Sequence, residues 1–376
     1  MSSARRAIAA RSRARAVSAP WGSCNPSFIE GSEFGGVGGI RRTGGGALPP
    51  DLTPNIPPTP PNSEPSMKLG LQLPQGADTA RARDLAAIAR RAEDIGYSSL
   101  WAYERVLFPA QPADGMYGVP GLLPWDPYYE HCADPLTVLT LAAAHTDRVR
   151  LGTCVLVAPL HGGLHLARAL ATLDVATGGG RVVAGLGAGW STDEYRAAGV
   201  DFATRRRATD EMADALRALW GPNPVTYRDS TIDITDAAVN PKPAGPIPIV
   251  FGGATEPAFR RVAKRGDGWM AVGITGDTLA AGHRRITDLA EAEGRDPATL
   301  SLLLVAIVYL SSTPAGPTRM PFQGNLDQVL DDLSAAAKAG ADEVILSIDR
   351  GPERATGFSD RAGELFEAAR SAGLLA

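Results

Sequence analysis

Short apolar runs alternate along this chain with longer stretches in which apolar side chains recur every three or four positions. The runs predict strands at 68–73, 98–102, 149–157, 181–186, 247–251, 268–272, 300–309 and 343–348. The periodic stretches predict helices at 81–95, 134–145, 164–176, 204–220, 256–265, 277–293, 326–339 and 360–372. In the first of these, Leu85, Ile88, Ala89, Ala92 and Ile95 share one face, and Gly96 stands where a left-handed cap ends a helix. The strands are continuously apolar more than alternating, the pattern of parallel strands buried on both faces. Eight strand–helix units over residues 67–376 favour a TIM (β/α)8 barrel over a doubly wound sheet. The segment 225–236 predicts an inserted β-hairpin through Arg228-Asp229-Ser230.

The first 66 residues break the pattern. They hold ten Pro and nine Gly, eight of the prolines between 48 and 65, with no periodicity able to bury a face. Such a segment does not offset its ordering entropy, so 1–66 is expected to be a disordered extension. Its early arginines resemble a targeting signal, but no apolar core of ~7–15 residues follows them. Met67 opens directly onto the first strand and is the expected true start, with 67–376 as the barrel domain. Nowhere does an apolar run reach the ~18 residues that span a bilayer, so no membrane partner is expected.

Composition narrows the partners further. At 44% hydrophobic and 21% charged the chain is that of a folded protein. The net charge of −4 is a sum over unlike parts: seven Arg against four acidic residues in 1–66, and 30 basic against 37 acidic residues thereafter. The domain that would do chemistry is therefore acidic, which argues against nucleic acid. Cys24, Cys132 and Cys154 are odd in number and lack metal-type spacing, so a reducing, cytoplasmic setting without a bound metal is expected.

A barrel of this type builds its site at the C-terminal ends of its strands. The second strand ends Trp101-Ala102-Tyr103-Glu104-Arg105, and the third runs on through Cys154 and Val155 to His161. The fourth ends Gly185-Leu186-Gly187-Ala188-Gly189-Trp190, and the fifth ends Phe251-Gly252-Gly253-Ala254-Thr255. Gly252 to Thr255, just ahead of a helix, offer free backbone N–H groups at a positive helix end, which suits a phosphate; a plain tight turn is the competing explanation. No Gly-x-Ser-x-Gly elbow is present, and Cys154 lies within a strand, so a nucleophilic hydrolase has no support.

Three stretches resemble the bacterial luciferase-like monooxygenase superfamily. They are Leu151-Gly152-Thr153-Cys154-Val155-Leu156-Val157; Ala167 to Asp174 leading to Gly179 through Trp190; and Phe251-Gly252-Gly253-Ala254 leading to Gly266-Asp267-Gly268-Trp269. The resemblance covers 67–376 and implies a barrel that binds FMN or the deazaflavin coenzyme F420 for redox chemistry on a small organic molecule. The context Asp193-Glu194-Tyr195 and 205–210 is similar to the F420-dependent branch. Carried over, Gly252, Gly253, Ala254 and Thr255 would receive the cofactor phosphate. Cys154 and Val155 would back the ring, where relatives often place a non-proline cis peptide, and Gly187, Gly189 and Trp190 would line its edge. A homodimer is expected by the same resemblance, as is a reductase partner that supplies reduced flavin or F420.

At the second strand's end the family commonly has an acid followed by His, whereas this chain has Glu104-Arg105. Arginine is no acid near neutral pH, its pKa lying above ~12, but it can clamp a carboxylate or phosphate. Glu104 is either a proton shuttle or an ion-pair partner of Arg105. His161 is a substrate or cofactor contact; His161 and His165 are four apart, but Gly162-Gly163 interrupts the helix, which argues against a metal. His131, His145 and His283 lie in or beside helical patterns and read as structural. Trp190 stands where sugar-phosphate dehydrogenases of the family carry a carboxylate, which disfavours a sugar phosphate and favours an apolar or aromatic substrate. The aromatic-rich segment 106–133 is either a lid over such a substrate or a self-packed loop or subunit interface. The expected activity is F420-dependent hydride transfer. An FMNH2-dependent monooxygenase using O2 and a non-catalytic flavin-binding protein are the alternatives.

Overall fold

The computed structural model describes residues 67–76, 81–274, 276–348 and 357–375. The expected disordered extension at 1–66 lies outside them.

Eight parallel strands close into a barrel. In chain order these are β1 (Lys68–Gln72), β2 (Ser99–Ala102), β3 (Arg150–Thr153) continued by β4 (Leu156–Val157), β5 (Val182–Gly187), then, after the hairpin strands β6 (Val225–Arg228) and β7 (Asp233–Ala237), β8 (Ile249–Gly252), β9 (Gly268–Val272) and β10 (Ser301–Ile307). The short β11 (Tyr309–Leu310) and β12 (Gln323–Gly324) pair with each other, and β13 (Glu343–Ser347) completes the barrel. Each barrel strand pairs in parallel with the next, and β13 returns to β1 through Leu69↔Val344 and its neighbours. Between β3 and β5 the pairing is only Leu151↔Val182 and Gly152↔Val183, with β4 taking over at Leu156↔Leu186.

Helices α1 (Ala82–Ile95), α2 (Pro135–Ala143), α3 (Gly163–Ala176), α4 (Thr192–Ala197), α5 (Arg205–Trp220), α6 (Glu256–Arg265), α7 (Gly276–Ala292), α8 (Leu326–Lys338) and α9 (Phe358–Ser371) occupy the segments after the strands. Their apolar faces and the strands' outward residues form one large core. Inside the barrel Trp101, Val183, Val250, Met270, Leu303, Val305 and Ile345 form a second core, against which Cys154 and Val155 pack. Burial on both faces is why the strands read as continuous apolar runs. As the cap position predicts, Gly96 is left-handed with φ 117° and donates to Ala92 O.

Three features differ from the sequence reading. The third strand is not continuous over 149–157 but is interrupted at a cis Cys154–Val155 peptide. The seventh is broken near Val308, after which β11 and β12 pair outside the barrel. Finally, α4 is an additional short helix whose N-cap Ser191 accepts from the Glu194 N–H at 3.3 Å. The predicted hairpin forms as β6 and β7. No described helix is long and apolar enough to cross a membrane.

Candidate active site

Glu104 lies two residues past β2 and is 6% exposed. Its Oε2 accepts from the Val157 N–H at 2.6 Å, and His161 Nε2 lies 2.9 and 3.0 Å from its two oxygens. His161 is placed by the turn 158–160 after β4, ahead of α3. Burial of the imidazole favours its neutral form, but the hydrogen bond and charge of Glu104 outweigh this, and the His161 pKa is raised. A carboxylate only accepts, so Nε2 carries a proton and the second titrating position is Nδ1.

Arg105 does not pair with the Glu104 carboxylate, which overturns the ion-pair alternative for Glu104. Its Nε donates to the Glu104 backbone carbonyl at 2.8 Å, and its Nη2 lies 2.9 Å from Glu194 Oε2, an ion pair short of hydrogen-bond alignment. Both side chains are buried, at 6% and 1% exposed. The guanidinium also lies over the Trp190 ring at 4.6 Å. Burial pushes the Glu194 carboxyl up, while Arg105 and the Val106 N–H, which donates to Oε1 at 2.9 Å, pull it back.

The segment 106–133 is tied down on α4. Asp114 Oδ2 accepts from the Thr192 N–H and hydroxyl at 2.7 and 2.6 Å, and Asp193 Oδ2 accepts from the Ala113 N–H at 2.8 Å. At its far end Gln75, buried after β1, donates to Tyr103 O and Ala133 O at 2.7 and 2.8 Å. The segment's rings pack on one another and on the strand end: Tyr103 stacks on Tyr128 at 5.4 Å and meets Tyr129 edge-on, while Trp190 packs against Trp125 and Tyr117. Cys154 touches both this aromatic cluster and the barrel interior, joining the two. Tyr103 Oη is buried without a well-aligned hydrogen-bond partner, and burial raises its pKa.

The expected cofactor surface also comes together. A Cβ on Gly187 would lie 2.7 Å from Val155 and displace it, while one on Gly252 would meet Val155 in ordinary contact at 3.4 Å, so Gly187 keeps this part of the mouth flat around Val155. Gly189 is left-handed at φ 64° and closes against Val157. At the cradle Gly253 has φ 120°, its carbonyl accepts from Trp269 Nε1 at 2.8 Å, and a Cβ there would meet Ala258 at 2.9 Å. Ala254 and Thr255 are exposed, and Thr255 caps α6 without using its side chain. The carboxylate of Glu256 in the first turn is taken up by Arg260 and Arg285, at 3.0 and 2.7 Å. Glycine-only geometry and an open positive helix end fit a phosphate, and the floor around Val155 fits a flat ring.

The other histidines stand apart. His145 Nδ1 lies 2.8 Å from Leu141 O, His283 is half-buried with a pKa lowered by burial, and His131 is exposed. His165 is exposed on α3 while His161 precedes that helix, so the two share no face. The Cys132 thiol is pushed up to about 11 by burial. Sequence reasoning missed Gln75 and Asp114 as organising residues. The Ser-x-x-Glu spacing at 191–194 signals the α4 cap, but Glu194 turns its carboxylate to Arg105 instead of its own N-cap.

A closed parallel barrel is the fold of the luciferase-like monooxygenases, and the mouth of this one carries a glycine floor and a helix-end cradle. The sequence profile of that family, described as luciferase-like monooxygenase, matches residues 67–355, and the chain belongs to it. An uncharacterized protein of Mycobacterium tuberculosis is 32% identical over 284 residues, covering 73% of this chain and 91% of that one. The F420-dependent glucose-6-phosphate dehydrogenase of Amycolatopsis mediterranei is 26% identical over 201 residues, 52% of this chain and 55% of the relative. Among solved structures, monooxygenase RslO1 from Streptomyces bottropensis superposes with a TM-score of 0.64 at 21% identity, covering 82% of this chain and 99% of the other.

Proposed function

We propose that this protein is an oxidoreductase that transfers a hydride between coenzyme F420 and a small apolar or aromatic organic substrate. The Glu104–His161 pair at the barrel mouth carries the reading, because hydride transfer to or from an oxygen-bearing carbon needs a group that exchanges one proton. The relative described as F420-dependent supports the choice of cofactor. When bound, the deazaflavin supplies a ring carbon that gives or takes the hydride.

The chain supplies the rest. Gly252, Gly253, Ala254 and Thr255 would hold the phosphate; Cys154 and Val155 would back the ring; Gly187, Gly189 and Trp190 would line its edge. In the oxidising direction neutral His161 accepts the substrate hydroxyl proton at Nδ1 while Glu104 steadies the imidazolium through Nε2. In the reducing direction it returns that proton. The aromatic segment 106–133 excludes water and supplies apolar contact. A soluble homodimer served by a partner that reduces F420 belongs to the same proposal.

The test is a screen of ketones with F420H2-loaded enzyme, following reoxidation of the cofactor, and of alcohols with F420-loaded enzyme, following its reduction, in the wild type and in His161→Ala. The wild type is expected to turn over members of the screen, with His161→Ala slower by roughly 10²–10⁴-fold at unchanged cofactor affinity. Equal rates in the two proteins would overturn the assignment of His161.

A further inference from the structure

The ionisable groups on the β2 side of the mouth are paired. Glu104 faces His161, and Arg105 faces Glu194. Arg105 therefore presents a donor without presenting net charge. Its Nε and Nη2 are occupied, while Nη1 is buried and has no acceptor among the described residues. A buried donor of this kind is costly unless something completes it. Its surroundings are apolar: Trp190 lies beneath it, and Trp125 and Tyr117 pack against Trp190.

We infer that Arg105 Nη1 is the specificity contact for an uncharged acceptor, the carbonyl or hydroxyl oxygen of an aromatic or aliphatic substrate, and that the Arg105–Glu194 pair excludes anionic substrates, sugar phosphates included. A carboxylate or phosphate placed at Nη1 would compete with Glu194 for one guanidinium, in a buried setting where the neighbouring His161 already has Glu104 as its partner. A neutral oxygen completes the donor set and leaves the balance intact. The inference rests on the oxidoreductase reading for the substrate's role, but its test is one of binding.

Tryptophan fluorescence reports on this side of the mouth through Trp190 and Trp125. Acetophenone, benzoate and glucose 6-phosphate are titrated against the protein with and without F420. Acetophenone is expected to bind saturably and at least tenfold more tightly than either anion. Arg105→Met should weaken acetophenone at least fivefold. Glu194→Gln keeps an oxygen for the Val106 N–H but leaves Arg105 uncompensated, so benzoate should then overtake acetophenone. That inversion separates a charge-selecting pair from a merely structural one. Anions binding as well as the ketone, no saturable ketone binding, or a preference unmoved in Glu194→Gln overturns the inference. Should Glu194→Gln lose its fold by circular dichroism, the wild-type preference and Arg105→Met decide. F420 binding on the same preparation is scored separately, so its failure counts against the cofactor reading and not against this contact.

Discussion

Glu104 and His161 were each visible in the sequence as residues past a strand end, but their pairing was not, because 57 positions separate them. The adjacent Glu104-Arg105 suggested a local ion pair. Successive residues of an extended segment point to opposite sides, so the two reach different partners, His161 and Glu194. The pairing has a pH signature. Burial alone would lower the His161 pKa, and Glu104 reverses this, so the pair's stability contribution is fully present below 6.5, the unpaired value, and is lost as the pH rises through the raised folded value. Glu104→Gln should lower the His161 pKa, read from imidazole NMR shifts. Its stability deficit in urea should be largest below 6.5 and should narrow as the pH is raised; a deficit that widens with pH would contradict the pairing.

At the scale of elements, the eight strands and their helices were legible because parallel strands and amphipathic helices write different periods into the chain. The short α4 was not, since six residues carry too little periodicity, and neither was the anchoring of 106–133. That anchoring depends on Asp114, whose carboxylate collects two donors from Thr192. Asp114→Ala should cost about 1–3 kcal/mol and raise amide hydrogen exchange across 106–133 while β1 and β13 remain protected. The cradle is tested at Gly253, where φ is 120° and a Cβ would press on Ala258 at 2.9 Å. Gly253→Ala should cost about 1–3 kcal/mol in chemical denaturation and weaken phosphate-bearing cofactors about tenfold. Unchanged affinity would place the phosphate elsewhere.

The whole molecule depends on closing β3 against β5 with few pairings. Gly185 makes this possible: a Cβ there would fall 1.7 Å from the Thr153 carbonyl oxygen, and the Thr153 hydroxyl further bridges to the Gly185 backbone. Gly185→Ala should therefore cost about 3 kcal/mol or more, read as a fall in thermal midpoint, because the strands cannot approach without displacing backbone. In the sequence this glycine was one of several in a fourth-strand motif, and its particular burden became visible only once β3 lay beside it. The closed barrel in turn brings the ends of β2, β4, β5 and β8 around one mouth, where the cofactor and proton-exchanging groups are proposed to meet. Separate titrations of the purified protein with F420 and with FMN test the proposed cofactor most directly: saturable F420 binding, weakened in Gly253→Ala, is the expected result, and tight FMN binding with no F420 binding would contradict it.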